Sequence, residues 1–350
     1  MKIKYRFKYI AILFGTLFIF SSCASVTNIP IEIIKPADYS FAPNILSVLI
    51  VDNAPVFSDD SVHTTNLFGK KGVMEARSVE KFGLYAAEGL GEKLDEKRFF
   101  DSVFVHPISL NRPVDGVHEP DLTLEMIDSL LNYYNAQAIL SLEDYRFHTD
   151  INALDVGDSF YLTLDAFGTA YWKVYDKDGY ILDTYVQNDS IFWDSFVVKN
   201  NSNELAVPDL EDALETLGSY MGGEYTKRVS PVWERNSRAI FTRGHHLFAR
   251  ANDLVQVQHW NEAAKVWYYV FQNGSKLQKA ISAHNIALSY EMRNDFDEAI
   301  EWAKISKKQF GELKSWQINN SIVKMSEEYI DILLERQKDS IKLNEQLGPL

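Results

Sequence analysis

The apolar positions of this chain fall into three rhythms. Residues 10–20 form an almost unbroken apolar run, interrupted only by Gly15 and Thr16. Between about residues 44 and 230, short β-rich runs alternate with segments of helical period. Beyond residue 231, apolar side chains recur three or four apart almost throughout, which is the spacing of amphipathic helices.

In the middle region, "NILSVLIVDNAP" is a continuous apolar run ended by a turn, the pattern of a strand buried on both faces. Val79, Phe82, Ala86, Leu90 and Leu94 predict a helix over 75–97. A strand at Ser102–Val105, a helix at Leu122–Tyr134 and a strand at Ala138–Phe147 follow. Two long β segments, Phe160–Tyr175 and Tyr180–Gln187, flank "DKDG", where Asp178-Gly179 signals a hairpin because glycine accepts positive φ cheaply. A further β segment is expected at Ile191–Val198 and a helix over about Asp209–Arg228. The order β-α-β-α-β-β-β-α predicts a mixed sheet with helices packed on it. This order, with the hairpin "YDKDGYILDTY", resembles the small α/β domains of envelope proteins such as the amino-terminal domain of TolB and the periplasmic domain of curli-secretion lipoproteins. The expected fold class is α+β, an α/β sandwich followed by an all-α domain.

One comparison organises the helical region. "HWNEAAKVW" (His259 to Trp267) and "DFDEAIEWA" (Asp295 to Ala303) align without a gap at an offset of 36 residues, close to the 34 of a tetratricopeptide repeat. "AHNIALSYEMRNDFDEAIEWA" resembles that family's pattern, with repeats expected at about 244–277 and 280–313. Ala251, Ala263, Ala287 and Ala299 are small where paired helices must cross, and Trp260, Trp267, Tyr290 and Phe296 fill the space around the crossings. Asp295 and Glu298 have capping-box spacing. Two hairpins alone cannot bury a stack's apolar faces, so a preceding helix at about Trp233–Phe241 and a capping helix at about 316–346 are expected. The resemblance implies a concave groove for a peptide or protein. Asn252 and Asn285 fall where such repeats contact a ligand backbone, with His284, Leu288 and Met292 on the same face. Phe248 stands where a basic clamp would be expected, which disfavours recognition of a terminal carboxylate.

The amino-terminal run has another meaning. Lys2, Lys4, Arg6 and Lys8 precede it, Ser21-Ser22 follow it, and then comes Cys23, the single cysteine. About eleven apolar residues are too few to span ~30 Å of hydrocarbon, so residues 1–22 read as a cleaved export signal. The arrangement resembles a bacterial lipobox, which implies acylation of Cys23 and a membrane anchor of several acyl chains. No Asp follows the cysteine and "CASVTN" lacks an acidic run, so the expected location is the periplasmic face of the outer membrane. An oxidising compartment also suits the lack of further thiols. Residues 23–43, with three prolines, are expected to form a tether passing into an edge strand.

Charge marks the domain boundary. Loss of the four basic residues before Cys23 takes the formal charge from −14 to −18. Residues 23–230 carry 34 acids against 15 bases, whereas residues 231–350 carry 15 against 16. An acidic domain over 44–230 repels nucleic acid, and no nucleic-acid partner is expected.

Candidate chemistry is sparse. "GLGEKL" (Gly89 to Leu94) lacks the glycine pattern of a phosphate loop and sits in a helical pattern, where Gly83, Gly89 and Gly91 would let the helix approach the sheet. "HTDINALDVGD" gathers Asp150, Asp155 and Asp158, a weak cation candidate without EF-hand spacing. No G-x-S-x-G, H-E-x-x-H or C-x-x-C occurs, and no cofactor or catalytic residue is expected. The whole pattern resembles a family of Bacteroidetes lipoproteins with carboxy-terminal tetratricopeptide repeats, to which no activity is assigned. The leading expectation is a non-enzymatic envelope scaffold that holds an unidentified protein or peptide. The alternatives are an α/β domain acting as an enzyme or a small-molecule or cation receptor docked by the repeats, and an oligomeric secretion or assembly component.

Overall fold

The computed structural model describes residues 26–55, 62–75, 81–110, 121–199, 207–314 and 318–348. The chain divides into two compact units, one of residues 37–232 and one that joins the amino-terminal segment to residues 233–350. Cys23 and the export-signal segment lie outside the described residues. No helix among those residues is long and apolar enough to cross a membrane.

The helical unit begins with a strand. Residues 26–35, within the segment expected as a tether passing into an edge strand, form strand β1 (Val26–Lys35). Among the described residues eight further strands follow: β2 (Ser47–Asp52), β3 (Val62–Leu67), β4 (Lys70–Glu75), β5 (Ser102–Val105), β6 (Ala138–Asp155), β7 (Ser159–Asp176), β8 (Ile181–Val198) and β9 (Val232–Phe241). The helices are α1 (Phe82–Lys97), α2 (Leu124–Tyr134), α3 (Leu210–Val229), α4 (Phe248–Gln256), α5 (Trp260–Asn273), α6 (Lys276–Glu291), α7 (Phe296–Gly311) and α8 (Asn320–Leu347).

In the α/β unit, β4, β3, β6, β2 and β5 lie side by side, and β7 and β8 extend the sheet from β6. β2 runs parallel to β5 and β6, while β6, β7 and β8 form an antiparallel meander. Val48 and Ile50 face one side, toward α1 and α3, and Leu49 and Val51 face the other, toward α2. All four are fully buried, as a strand covered on both faces requires. Thr123 caps α2 and Asp209 caps α3 through their side chains, satisfying N–H groups that a helix start leaves without partners.

Glycines set the spacing of α1. A Cβ on Gly222 of α3 would sit 1.9 Å from the Ala86 carbonyl oxygen, and one on Gly89 would sit 2.2 Å from that of Ser219. Gly89 therefore faces α3 rather than the sheet, against expectation. Gly91 does face the sheet, where its Cβ would meet Val105 at 2.4 Å.

Two further expectations fail. The loop expected after Phe147 is strand: β6 continues to Asp155, because β7 pairs with it along its whole length. The two β segments expected at 180–187 and 191–198 are one 18-residue strand, β8. The hairpin β3–β4 was not legible in the hydrophobic pattern, since "VHTTNL" owes its place to parallel pairing with the distal half of β6.

In the helical unit, α4 to α7 form two consecutive hairpins with α8 packed on α7. Ala251, Ala263, Ala287 and Ala299 are fully buried, and Trp267 nearly so. Tyr290 is half-buried, its hydroxyl 2.8 Å from that of Tyr268 and its ring 4.2 Å under the Arg293 guanidinium. The expected helix at 233–241 is instead β9, which pairs with β1. Thr27 meets Thr242 and Glu32 meets Arg235, so the pair is antiparallel. Ile29, Ile31 and Ile33 alternate inward onto the core formed by Phe241, Phe248, Trp260 and Ala263, a period-2 burial that fixes strand register. The expected Asp295 cap makes no side-chain bond, whereas Ser275 and Gln278 close a reciprocal capping box at the start of α6.

Candidate functional site

The face of α6 expected to be an open groove is filled by the chain itself. Asn285 is completely buried. Its Oδ1 accepts from the Phe241 N–H at 2.9 Å and its Nδ2 donates to the Phe241 carbonyl at 2.7 Å. One amide side chain thus grips both polar groups of a β9 residue. His284 Nε2 donates to the Ala239 carbonyl at 2.9 Å, which places the ring proton on Nε2. Its Nδ1 is buried with no partner among the described residues, and burial holds the imidazole below its ordinary pKa. Leu288 and Phe248 are buried as well, while Asn252 and Met292 are half-buried. The candidate partner groove of Asn252, Phe248, His284, Asn285, Leu288 and Met292 is therefore corrected: four of its six residues form core around an internal strand. The pattern of repeats had no means of registering a strand donated from outside them.

Glu291, at the end of α6, locks that strand in place. Its carboxylate accepts from Arg238 Nε of β9 at 2.8 Å, from Arg336 Nη1 of α8 at 2.7 Å and from the Tyr329 hydroxyl at 2.7 Å. Glu291 is fully buried and Arg238 almost so. A buried carboxylate is tolerable only with such compensation, because each uncompensated charge costs several kcal/mol. Glu291 belongs to no sequence motif; its signal is an acidic residue inside the apolar stripe of α6.

An open cleft lies beside β1. It has a volume of about 760 Å³ and is bounded by Ile29 to Glu32 on the strand side and by Val255, Gln258, Trp260 and Met292 on the helical side. Four consecutive strand residues line it, so the backbone of β1 borders the cleft along with its side chains. Glu32 and Arg235 pair at 3.5 Å at its rim.

A second polar centre belongs to the α/β unit, at the carboxyl ends of β2 and the parallel part of β6. On the α2 face, Asn53 Nδ2 donates to Glu143 Oε2 at 2.7 Å and the Tyr175 hydroxyl donates to Oε1 at 2.9 Å. Nothing among the described residues donates to Asn53 Oδ1, which is buried. Burial raises the Glu143 carboxyl above its ordinary range. On the other face, the Ala54 N–H donates to Asp52 Oδ1 at 3.1 Å and the Ser109 hydroxyl also donates to this carboxylate. Asp52 lies against the first turn of α1, where a Cβ on Gly83 would fall 2.2 Å from Oδ1. A helix start favours the anion, yet burial prevails and pushes the carboxyl up to about 6. Neither carboxylate was flagged by a motif; ends of parallel strands are where open α/β sheets place ligands.

The weak cation candidate comes apart. Asp150 lies in mid-strand on β6, 3.0 Å from His148 Nε2. Asp155 points to the opposite side of that strand and pairs with Lys199 at 2.7 Å. Asp158 sits in the turn beyond. Among the described residues, no three His, Cys, Asp or Glu side chains converge as metal ligands.

Comparison with known proteins adds two family matches. No curated protein matches this sequence. Among solved structures, one described as a "putative lipoprotein" from Caulobacter crescentus CB15 shares 12% identity, covering 46% of this chain and 83% of that one, with a TM-score of 0.17. A likeness that slight carries no argument. A family model described as a domain of unknown function (DUF6340) matches residues 249–335, the span from α4 into α8. A second, described as a domain of unknown function (DUF8603), matches residues 45–241, from the lead into β2 to the end of β9. Since that match covers more than half of the chain, the protein belongs to the DUF8603 family.

Proposed function

We propose that this protein is a lipid-anchored, non-enzymatic interaction module of the bacterial envelope, and that its partner enters the cleft beside β1. The observation that carries this reading is the self-occupied face of α6. Asn285 already holds the backbone of β9, and the neighbouring cleft of about 760 Å³ offers an open surface for another chain. In this reading α4 to α7 are two tetratricopeptide-like repeats, α8 caps them, and the α/β unit has a TolB-like or curli-lipoprotein-like architecture. Acylation of Cys23 would leave only Ala24 and Ser25 before β1. At about 3.5 Å per residue, that leash is on the order of 10 Å. The cleft would then be held close to the membrane, on the periplasmic side of the outer membrane.

Site-specific photocrosslinking in cells tests this. A photoreactive residue at Gln256, on the cleft wall, should capture a discrete envelope protein, and the same residue at exposed Lys304 should not. Equal labelling from both positions, or none from Gln256, would contradict the cleft as the docking place.

A second reading has one specific observation in its favour. Asp52 and Glu143 are buried carboxyls with raised pKa at the carboxyl end of parallel strands, and such perturbation concentrates at functional sites. An α/β unit that binds a small polar molecule there would show Asp52→Asn and Glu143→Gln losing a ligand while keeping the fold.

A further inference from the structure

Among the described residues the α/β unit has three outer strands, and they are unequal. β5 has four residues. β4 has six, and opens with Lys70, Lys71 and Gly72. Short length and edge lysines are the ordinary ways by which a sheet discourages pairing with another chain. β8 has none of these protections. It runs for 18 residues without Lys, Pro or Gly, and among the described residues it pairs only with β7. One face of β7 and β8 packs on α1 and α3 through Ala166, Ala170, Trp172 and Ile191. The other face, over the distal half, carries exposed aromatic side chains: Phe192 is 54% and Phe196 67% exposed.

The charges on that open face select the occupant. Asp165 stands opposite Phe192 and Asp150, and Asp194 stands opposite Thr163. The three acids are therefore neighbours on one face. The Tyr161 hydroxyl donates to Asp194, and Thr64 and His148 meet Asp150. No Lys or Arg lies in β7 from 159 to 172 or anywhere in β8. Burial and Asp150 together hold the Asp165 carboxyl above its ordinary range. A second copy of β8 laid against the first would add like charges and no base, and like charges across strands are unfavourable.

We infer that the free edge of β8 accepts an extended basic segment of another protein as an added strand. Main-chain bonds along the edge supply the affinity. A Lys or Arg beside Asp194, flanked two residues away on each side by apolar side chains against Phe192 and Phe196, supplies the selectivity. This surface lies in the other unit from the β1 cleft and stands independently of it.

The test uses the full mature chain and two blocked seven-residue peptides. Both have threonine at odd positions and phenylalanine at positions two and six, with lysine or glutamate at four. The lysine peptide should slow amide exchange in residues 189–198 and bind roughly fivefold or more tighter than the glutamate peptide. Asp194→Lys should reverse that preference. Asp194 is exposed, and if this variant fails to fold, Asp194→Asn should abolish the preference instead. Protection of β8 by neither peptide, equal binding of both, or protection that grows with protein concentration in the absence of peptide would overturn the inference. The last result would mean that β8 serves self-association.

Discussion

Both units bury carboxylates, and they treat them in opposite ways. In the helical unit Glu291 meets two guanidinium groups and a phenol. In the α/β unit, Glu143 is met by an amide and a phenol, and Asp52 by a hydroxyl and a backbone N–H. Paired charge fixes geometry; here it staples β9 between α6 and α8. Carboxyls with neutral donors are pushed toward protonation, because desolvation is not repaid by an opposite charge. The first arrangement is that of a structural clasp, and the second leaves two buried carboxyls raised above their ordinary range.

The largest effect should come from breaking the clasp. Glu291→Ala leaves Arg238 and Arg336 without their carboxylate, and loss of one partner in a buried pair costs about 3–5 kcal/mol. Urea unfolding followed through the helical unit should report that loss. Neutralising a buried carboxylate in the other unit should have the reverse sign. Asp52→Asn removes a carboxyl whose pKa stands about two units above its ordinary 3.8. At neutral pH it should stabilise the α/β unit by up to about 3 kcal/mol, at roughly 1.4 kcal/mol per unit. Asn285→Ala removes two bonds to β9 and should cost about 2 kcal/mol, seen as early fraying of residues 239–241. The smallest effect is Ser275→Ala, which opens the α6 capping box at a cost of about 1 kcal/mol.

Acidification should separate the units further. A carboxyl with a raised folded pKa binds its proton in the native state before the unfolded chain does. Asp52 therefore contributes stability that grows as pH falls from about 6 toward 4. His284 has a lowered folded pKa, so the unfolded chain binds the proton first. Its contribution is lost as pH falls below the ordinary value near 6.5. Unfolding at pH 7 and pH 5, read by amide hydrogen exchange in α1 of one unit and α6 of the other, should shift in opposite directions from these two groups.

Local pattern was enough for much of the framework. Continuous apolarity identified β2, three-and-four spacing identified α1 and α5 to α8, and Asp178-Gly179 marked the turn between β7 and β8, with Gly179 at φ 81°. Misreadings arose where a partner lies far away in sequence. "VWERNSRAIF" becomes a strand because β1 pairs with it and Asn285 grips its last residue. β3 is held by β6, some eighty residues on, and its turn places Phe68 and Gly69 both at positive φ, an unusual choice for phenylalanine. The site suffered most, since Asn285 and His284 were placed on the right face of the right helix but could not reveal that β9 already covers it.

Amide hydrogen exchange at Phe241 tests the self-occupied face most directly. Its N–H should exchange as slowly as the central amides of α6, and Asn285→Ala should accelerate it by at least tenfold while α6 stays protected. Fast exchange of residues 239–241 in the unaltered protein, beside a protected α6, would mean that the face is open, contradicting the account.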